Sequence, residues 1–392
     1  MGRTSTNSSR GFTLIELMVS LALGMLVIGT AVKLFCQGLD ATFVVSQRAE
    51  MQQDLRAASN LLLKDISLAG AGMPPGQGVA LPSGTAITSI YGCDQVGNCI
   101  PGGGIAYPCS TNVGPCIPTM YGIIPGWQLG IKPPGSPVNS DVITIVYSDQ
   151  VFALNCYAAT FPGGGAINPV TFTAPVPTPP TCVLPPGLVN PQPVTDPVVG
   201  LQPGDLVLFQ NTLAAGTGQA IAEVSNAGAG GGGTYTVNFL DADPLQLNQS
   251  AATGGDLKQI ITGANTTGTR IFVISYYLKV LPDPLGVGPG VPVLMRQVNG
   301  HLPVPVAENV ANLQFTYDTY DVNGNLLNAV GNAGYPGTSL NLIRKVNVIH
   351  LTIRGQLAGA RSYLMTTNGY QSYDFQTSIS ARNLSYQNRY KF

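Results

Sequence analysis

Between Phe12 and Phe35 the chain is apolar or small in nearly every position, yet it carries a carboxylate, Glu16, close to its start and a lysine, Lys33, close to its end. As a helix rising about 1.5 Å per residue, this run covers about 36 Å, enough to cross a hydrocarbon core with some tilt. A secretory signal has a core of only about 7 to 15 apolar residues followed by small residues at the cut, and neither is present. Arg3 and Arg10 precede the run, so the positive-inside bias predicts residues 1–11 in the cytoplasm and the long C-terminal part across the membrane. A carboxylate at the centre of a membrane helix costs about 2.5 to 3.5 kcal/mol, and somewhat less near an end. Glu16 therefore needs a partner, and its own helix is expected to supply none, because Lys33 is more than four turns away. Either Glu16 snorkels to the cytoplasmic interface or another molecule supplies a cation at that depth.

Composition narrows the remainder. The formal net charge is −1 and only 9% of 392 residues are charged, which gives no basic field for nucleic acid. Seven cysteines are present. Cys36 stands alone at the end of the apolar run, whereas Cys93, Cys99, Cys109, Cys116, Cys156 and Cys182 fall in loop-like sequence. Zinc sites favour tight CxxC-type pairs with histidines nearby, and this chain has two histidines in all. Disulfides are therefore expected, and with them an oxidising compartment outside the cytoplasm. Neighbour pairing (93 with 99, 109 with 116, 156 with 182) is the simplest of about fifteen possible connectivities.

Helical periodicity continues past the membrane run: Met51, Leu55, Ala58, Leu62, Ile66 and Ala69 form one stripe and predict packing across a sheet. A helix from about Phe12 to Leu68 is expected, bent or broken at Gly24, Gly29 or Gly38 and stopped by the glycines and prolines from Gly70 to Pro75. Residues 76–139 read as irregular loops with short strands. Eleven prolines between Pro169 and Pro203 predict a loop or extended arm with no internal strand. Strands are expected at Asn139–Asp149 and near Gly204, Ala220, Thr234, Arg270, Val291, Asn312, Arg344 and Asp374, with Ala229 to Gly233 a flexible link. The fold class is α+β: a long N-terminal helix, its first half transmembrane, carried on an antiparallel β-sheet body with loop insertions.

No catalytic constellation is legible. GxSxG, HExxH and phosphate-loop patterns are absent, His350 lies in an alternating strand, and His301 follows an Asn-Gly turn and is expected to be solvated. The chain reads as a non-enzyme with no required cofactor. A weak calcium candidate is the oxygen-rich group Asp318, Asp321, Asn323 and Asn325, although Asn323-Gly324 is also a favoured hairpin turn.

The stretch RGFTLIEL, Arg10 to Leu17, behind a short basic leader and ahead of a long apolar run, resembles the cleavage and methylation signal of type IV prepilins. The resemblance implies a leader of residues 1–11 removed by a prepilin peptidase and methyltransferase, with the cut between Gly11 and Phe12 and Phe12 methylated on its new amine. Methylation keeps that amine cationic. It also implies that Glu16 registers the subunit against a neighbour's Phe12 amine. Two unit charges about 4 Å apart at an effective dielectric of about 20 attract by roughly 4 kcal/mol, comparable with the burial cost of the acid. Further on, DLRAASNLLLKDISLAGAG, AENVANLQFTYDTYDVNGN, IRKVNVIHLTIRG and QTSISARNLSYQN resemble the strand blocks and stem junction of PilW-type minor pilins and GspJ-type pseudopilins of type II secretion. The implied organisation is a leader (1–11), the membrane half of the helix (12–35), its periplasmic half (36–75) and a β-rich head (76–392). The implied setting is a single-pass inner-membrane protein with a periplasmic body, incorporated into a pilus or pseudopilus with other minor and major pilins. A role as a tip adhesin using the Cys93–Cys182 loops is the alternative of a different class.

Overall fold

A computed structural model describes residues 11–74, 78–85, 87, 89–91, 105–106, 119–133, 136–162, 167–173, 184, 187, 190–211, 218–260, 266–282, 290–320, 325–331, 343–355, 372–381 and 383–384. One long helix, α1 (Leu14–Leu68), opens the described chain, and a body built on antiparallel sheet follows it. The strands, in chain order, are β1 (Val79–Ala80), β2 (Ile90–Tyr91), β3 (Ile105–Ala106), β4 (Thr119–Met120), β5 (Ile123–Gly126), β6 (Val142–Ser148), β7 (Ala158–Thr160), β8 (Val170–Thr173), β9 (Leu206–Asn211) and β10 (Gln219–Glu223). They continue with β11 (Asn226–Ala229), β12 (Thr234–Asn238), β13 (Thr266–Leu281), β14 (Val291–Val298), β15 (Val304–Ala307), β16 (Val310–Tyr320), β17 (Leu326–Val330), β18 (Ile343–Arg354) and β19 (Ser372–Ser380).

The helix is unbroken. Gly24, Gly29 and Gly38 do not interrupt it, contrary to the expectation of a break, and a methyl added at any of the three would meet nothing within 4 Å among the described residues. Its hydroxyls turn back on their own backbone: Ser20 donates to the Leu17 carbonyl (2.9 Å), Thr30 to that of Val27 (2.8 Å) and Thr42 to that of Gly38 (2.9 Å). Polar groups satisfied internally are what a helix in hydrocarbon requires. The residues before Gly38 are almost all exposed in the single chain, and the helix is long and apolar enough to cross a membrane. Farther along, Ala58, Leu62, Ile66 and Ala69 of the predicted stripe are buried. The helix ends where expected, with Gly70 and Gly72 at φ of +74° and +67°, a conformation that favours glycine. The Gly70 N–H then donates to the Val146 carbonyl (2.8 Å), tying the end of α1 to β6.

The chain divides into two compact units, residues 1–52 with 355–371, and residues 53–354 with 372–392. In the second, β13 is the hub of an eleven-stranded sheet, pairing with β9 and β7 through its start, with β6 through its middle and with β14 through its second half. This sheet buries both faces: Leu206 and Leu208 of β9 enter one core with Val273 and Tyr277, while Val207 and Phe209 enter another with Phe172 and Phe239. Doubly buried strands read as continuous apolar runs, which is why LVLF lacks alternation. A separate four-stranded sheet, ordered β17-β16-β18-β19, does alternate, with Leu313, Phe315 and Tyr317 of β16 inward.

Two loop expectations are corrected. The proline-rich stretch contains an internal strand, β8, between β7 and β12, because Val170 to Thr173 is free of proline. The Ala229–Gly233 link is a hairpin connection, since β11 pairs with β12 and the Gly230 N–H donates to the Thr234 carbonyl (2.7 Å).

Candidate functional site

Gly11, Phe12 and Thr13 precede the first helical residue and lie exposed, Phe12 at 78%. The Gly11–Phe12 peptide bond is therefore outside the helix and open to an enzyme. Among the described residues nothing stands within 4 Å of where a Gly11 Cβ would be, so none of them demands glycine there.

Thr13 caps the helix. Its Oγ1 accepts the Glu16 N–H (3.4 Å), its own N–H donates to Glu16 Oε2 (3.5 Å), and its hydroxyl donates to the same oxygen (3.3 Å). This is a capping box, the Thr-x-x-Glu pattern with reciprocal side-chain bonds, made here at the long end of hydrogen-bonding range. Glu16 therefore does find a partner in its own helix, contrary to expectation: no cation, but neutral donors one turn back. The T-L-I-E spacing already carried that signal. Glu16 also sits in the first turn, where the helix dipole favours negative charge.

A second polar centre, not anticipated, lies at the far end of α1. Asp65 is 1% exposed on a helix face that packs against β6, β13 and β14. It accepts hydrogen bonds from Tyr276 Oη (2.6 Å), Arg296 Nε (2.9 Å) and Tyr147 Oη (3.3 Å). Burial and the Asp65 carboxylate raise both tyrosine hydroxyls above their ordinary range, so both remain donors.

Elsewhere, His301 is half-buried rather than solvated: its Nε2 lies 2.8 Å from Asp205, which also approaches Arg270 (3.5 Å). Arg270 donates from Nε to Asp149 (2.8 Å) and lies over the Phe152 ring. His350 is a sheet residue of β18, its Nδ1 2.9 Å from Asp374. Of the calcium candidates, Asp318 is engaged by the Ala329 N–H (3.0 Å), Asn347 (2.9 Å) and Lys345 (3.7 Å), Asn325 is described, and Asp321 and Asn323 lie outside the described residues. Among the described residues, no group of three or more His, Cys, Asp or Glu side chains could hold a metal ion. Cys36 is free and exposed, and Cys156 is buried and disulfide-bonded. Cys93, Cys99, Cys109, Cys116 and Cys182 lie outside the described residues, as does the Asn323-Gly324 turn.

Residues 6–32 match the prokaryotic N-terminal methylation motif. No curated protein and no solved structure matches the chain. The matched stretch takes in Gly11, Phe12, the capping box and the first turns of α1.

Proposed function

We propose that this chain is a minor type IV pilin of the PilW type. A prepilin peptidase cuts between Gly11 and Phe12 and methylates the new amine, and α1 then enters a filament with other pilins while the body stays on the periplasmic side of the inner membrane. One observation carries the reading: the methylation motif covers a helix start whose Gly11–Phe12 bond is exposed ahead of the cap. Glycine at position 11, which no packing among the described residues requires, is accounted for by an external enzyme that reads it.

Glu16 has two successive roles in this scheme. Before cleavage it completes the capping box. After cleavage a neighbour's Phe12 amine offers a charged donor, stronger than the neutral Thr13 bonds, and the acid registers one stem against the next. The test is mass spectrometry of the amino terminus of the membrane-extracted protein. A species beginning at methylated Phe12 is expected, and an intact Met1 in the filament would overturn the reading. A GspJ-type pseudopilin would give the same terminus, so immunolabelling of sheared pili decides between the two filaments.

A further inference from the structure

The loop from Leu240 to Gln249 is held to the end of β10 by side chains that imitate a strand. Asn248 Oδ1 accepts the Glu223 N–H (2.9 Å), and its Nδ2 donates to the carbonyls of Glu223 (2.7 Å) and Leu240 (3.0 Å). Asp243 accepts the N–H groups of Leu247 (2.9 Å) and Asn248 (2.8 Å), and Glu223 Oε2 accepts that of Leu245 (3.4 Å). The carboxyls of Glu223 and Asp243 are both buried, grip the same loop and act on each other electrostatically. They line a cavity of about 260 Å³ with Asp241 and Ser225, and among the described residues no cationic side chain lines it.

Two carboxylates that share one buried cavity cannot both be ionised without a large repulsion, and a shared proton removes it. Among the described residues, no neighbouring element supplies a compensating charge. Asp241 is held by Ser250 Oγ (2.6 Å), and β1 and β9 carry no titratable side chain. The Leu257–Gln259 turn brings Asp256 and Lys258, which interact with each other and not with Glu223. Gly300 approaches so closely that a Cβ there would lie 2.5 Å from Glu223 Oε1, and the next residue, His301, is engaged with Asp205.

The same loop supports the start of the Cys-rich insertion. Leu245 and Gln246 offer carbonyls to the Ile90 N–H (2.9 Å) and Ser89 Oγ (3.1 Å), and Thr85 Oγ1 donates to Gln249 (2.6 Å). Ile90 opens β2, and Cys93 and Cys99 follow it in sequence before β3. We infer that the Glu223–Asp243 pair is a proton-operated clasp. With one proton shared, it holds the 240–249 loop on β10 and with it the root of the Cys93–Cys99 insertion; with the proton lost, both loosen. Burial raises both acids above the ordinary carboxylate range; the Asp243 charge raises Glu223 further, while the bonds Asp243 accepts offset part of its own rise, so the clasp opens as pH rises through the Glu223 titration.

Hydrogen–deuterium exchange on the full chain in detergent, corrected for intrinsic rates, tests this between about pH 6.5 and pH 10. Peptides covering 244–249 and 87–91 should lose protection about tenfold or more over that range while β13 stays constant. Glu223→Gln should abolish the dependence, because glutamine can accept from Leu245 and donate to Asp243 without titrating. Asp241→Asn should leave it intact. Constant loop protection in the natural protein overturns the clasp whether or not the variants fold. An unchanged profile in Glu223→Gln, or a lost one in Asp241→Asn, overturns it too.

Discussion

At the scale of single residues, the body is organised by buried carboxylates whose partners are remote in sequence. Asp65 meets Tyr276 and Arg296 across separations of 211 and 231 residues, which no local pattern reveals. In the sequence it sits beside the stripe residue Ile66 and is easily taken for a solvated charge. Removing one partner of such a pair strands the other: Asp65→Ala should cost the body about 3–5 kcal/mol in denaturant unfolding. The combined apolar replacement Asp65→Leu, Tyr276→Phe and Arg296→Met should cost less than that single change, because no charge is left unpaired. Asp141 works differently. Its two carboxyl oxygens accept the Gln128 N–H (2.7 Å) and the Phe315 N–H (2.8 Å), joining the turn after β5, the start of β6 and the middle of β16. Burial outweighs these bonds and raises its pKa from 3.8 to about 6. The folded state therefore holds a proton that the unfolded chain has released, and Asp141's contribution to stability falls as pH rises from 3.8 through about 6. Asp141→Asn should flatten that part of the pH–stability curve. It should also lower stability by about 1–3 kcal/mol, since an amide offers one acceptor oxygen where two N–H groups need one each.

At the scale of elements, α1 and the longer strands were legible because period and composition agree with their surroundings. The stripe from Ala58 to Ala69, the apolar LVLF of β9 and the alternation of β16 each state which faces are covered. The small elements were not. β8 is four residues inside a proline-rich stretch, and β11 is glycine- and alanine-rich, so each owes its conformation to the strand beside it rather than to propensity. The capping box at Thr13 was readable from spacing alone, yet its meaning depends on whether Phe12 is an internal residue or a cleaved amine. The end of α1 is set sterically. Gly72 has φ of +67°, and a methyl there would overlap Ser148 Oγ and lie 2.8 Å from Ser148 Cβ. Gly72→Ala should therefore destabilise the body by more than about 1 kcal/mol in denaturant unfolding. Gly38→Ala, with open space around the added methyl, should leave body stability unchanged or raise helix content.

At the scale of the whole molecule, the amino-terminal signal and the buried network at Asp65 belong to different compact units: Glu16 lies in the first, and Asp65 with all three of its partners in the second. Among the described residues, Glu16's hydrogen bonds are with Thr13 alone, and none of the bonds described in the second unit uses its charge. Substitutions with no shared partners add in free energy to within about 0.3–0.5 kcal/mol. Glu16→Gln should thus leave denaturant unfolding of the body unchanged in the full chain, and Glu16→Gln with Asp65→Asn should unfold like Asp65→Asn alone. Filament incorporation, scored by the amount of this chain in sheared pili relative to the membrane, should respond oppositely, falling sharply with Glu16→Gln at equal body stability. Incorporation that tracks body stability instead, and ignores Glu16, would place the assembly determinant in the β-rich unit and remove the carboxylate from the mechanism.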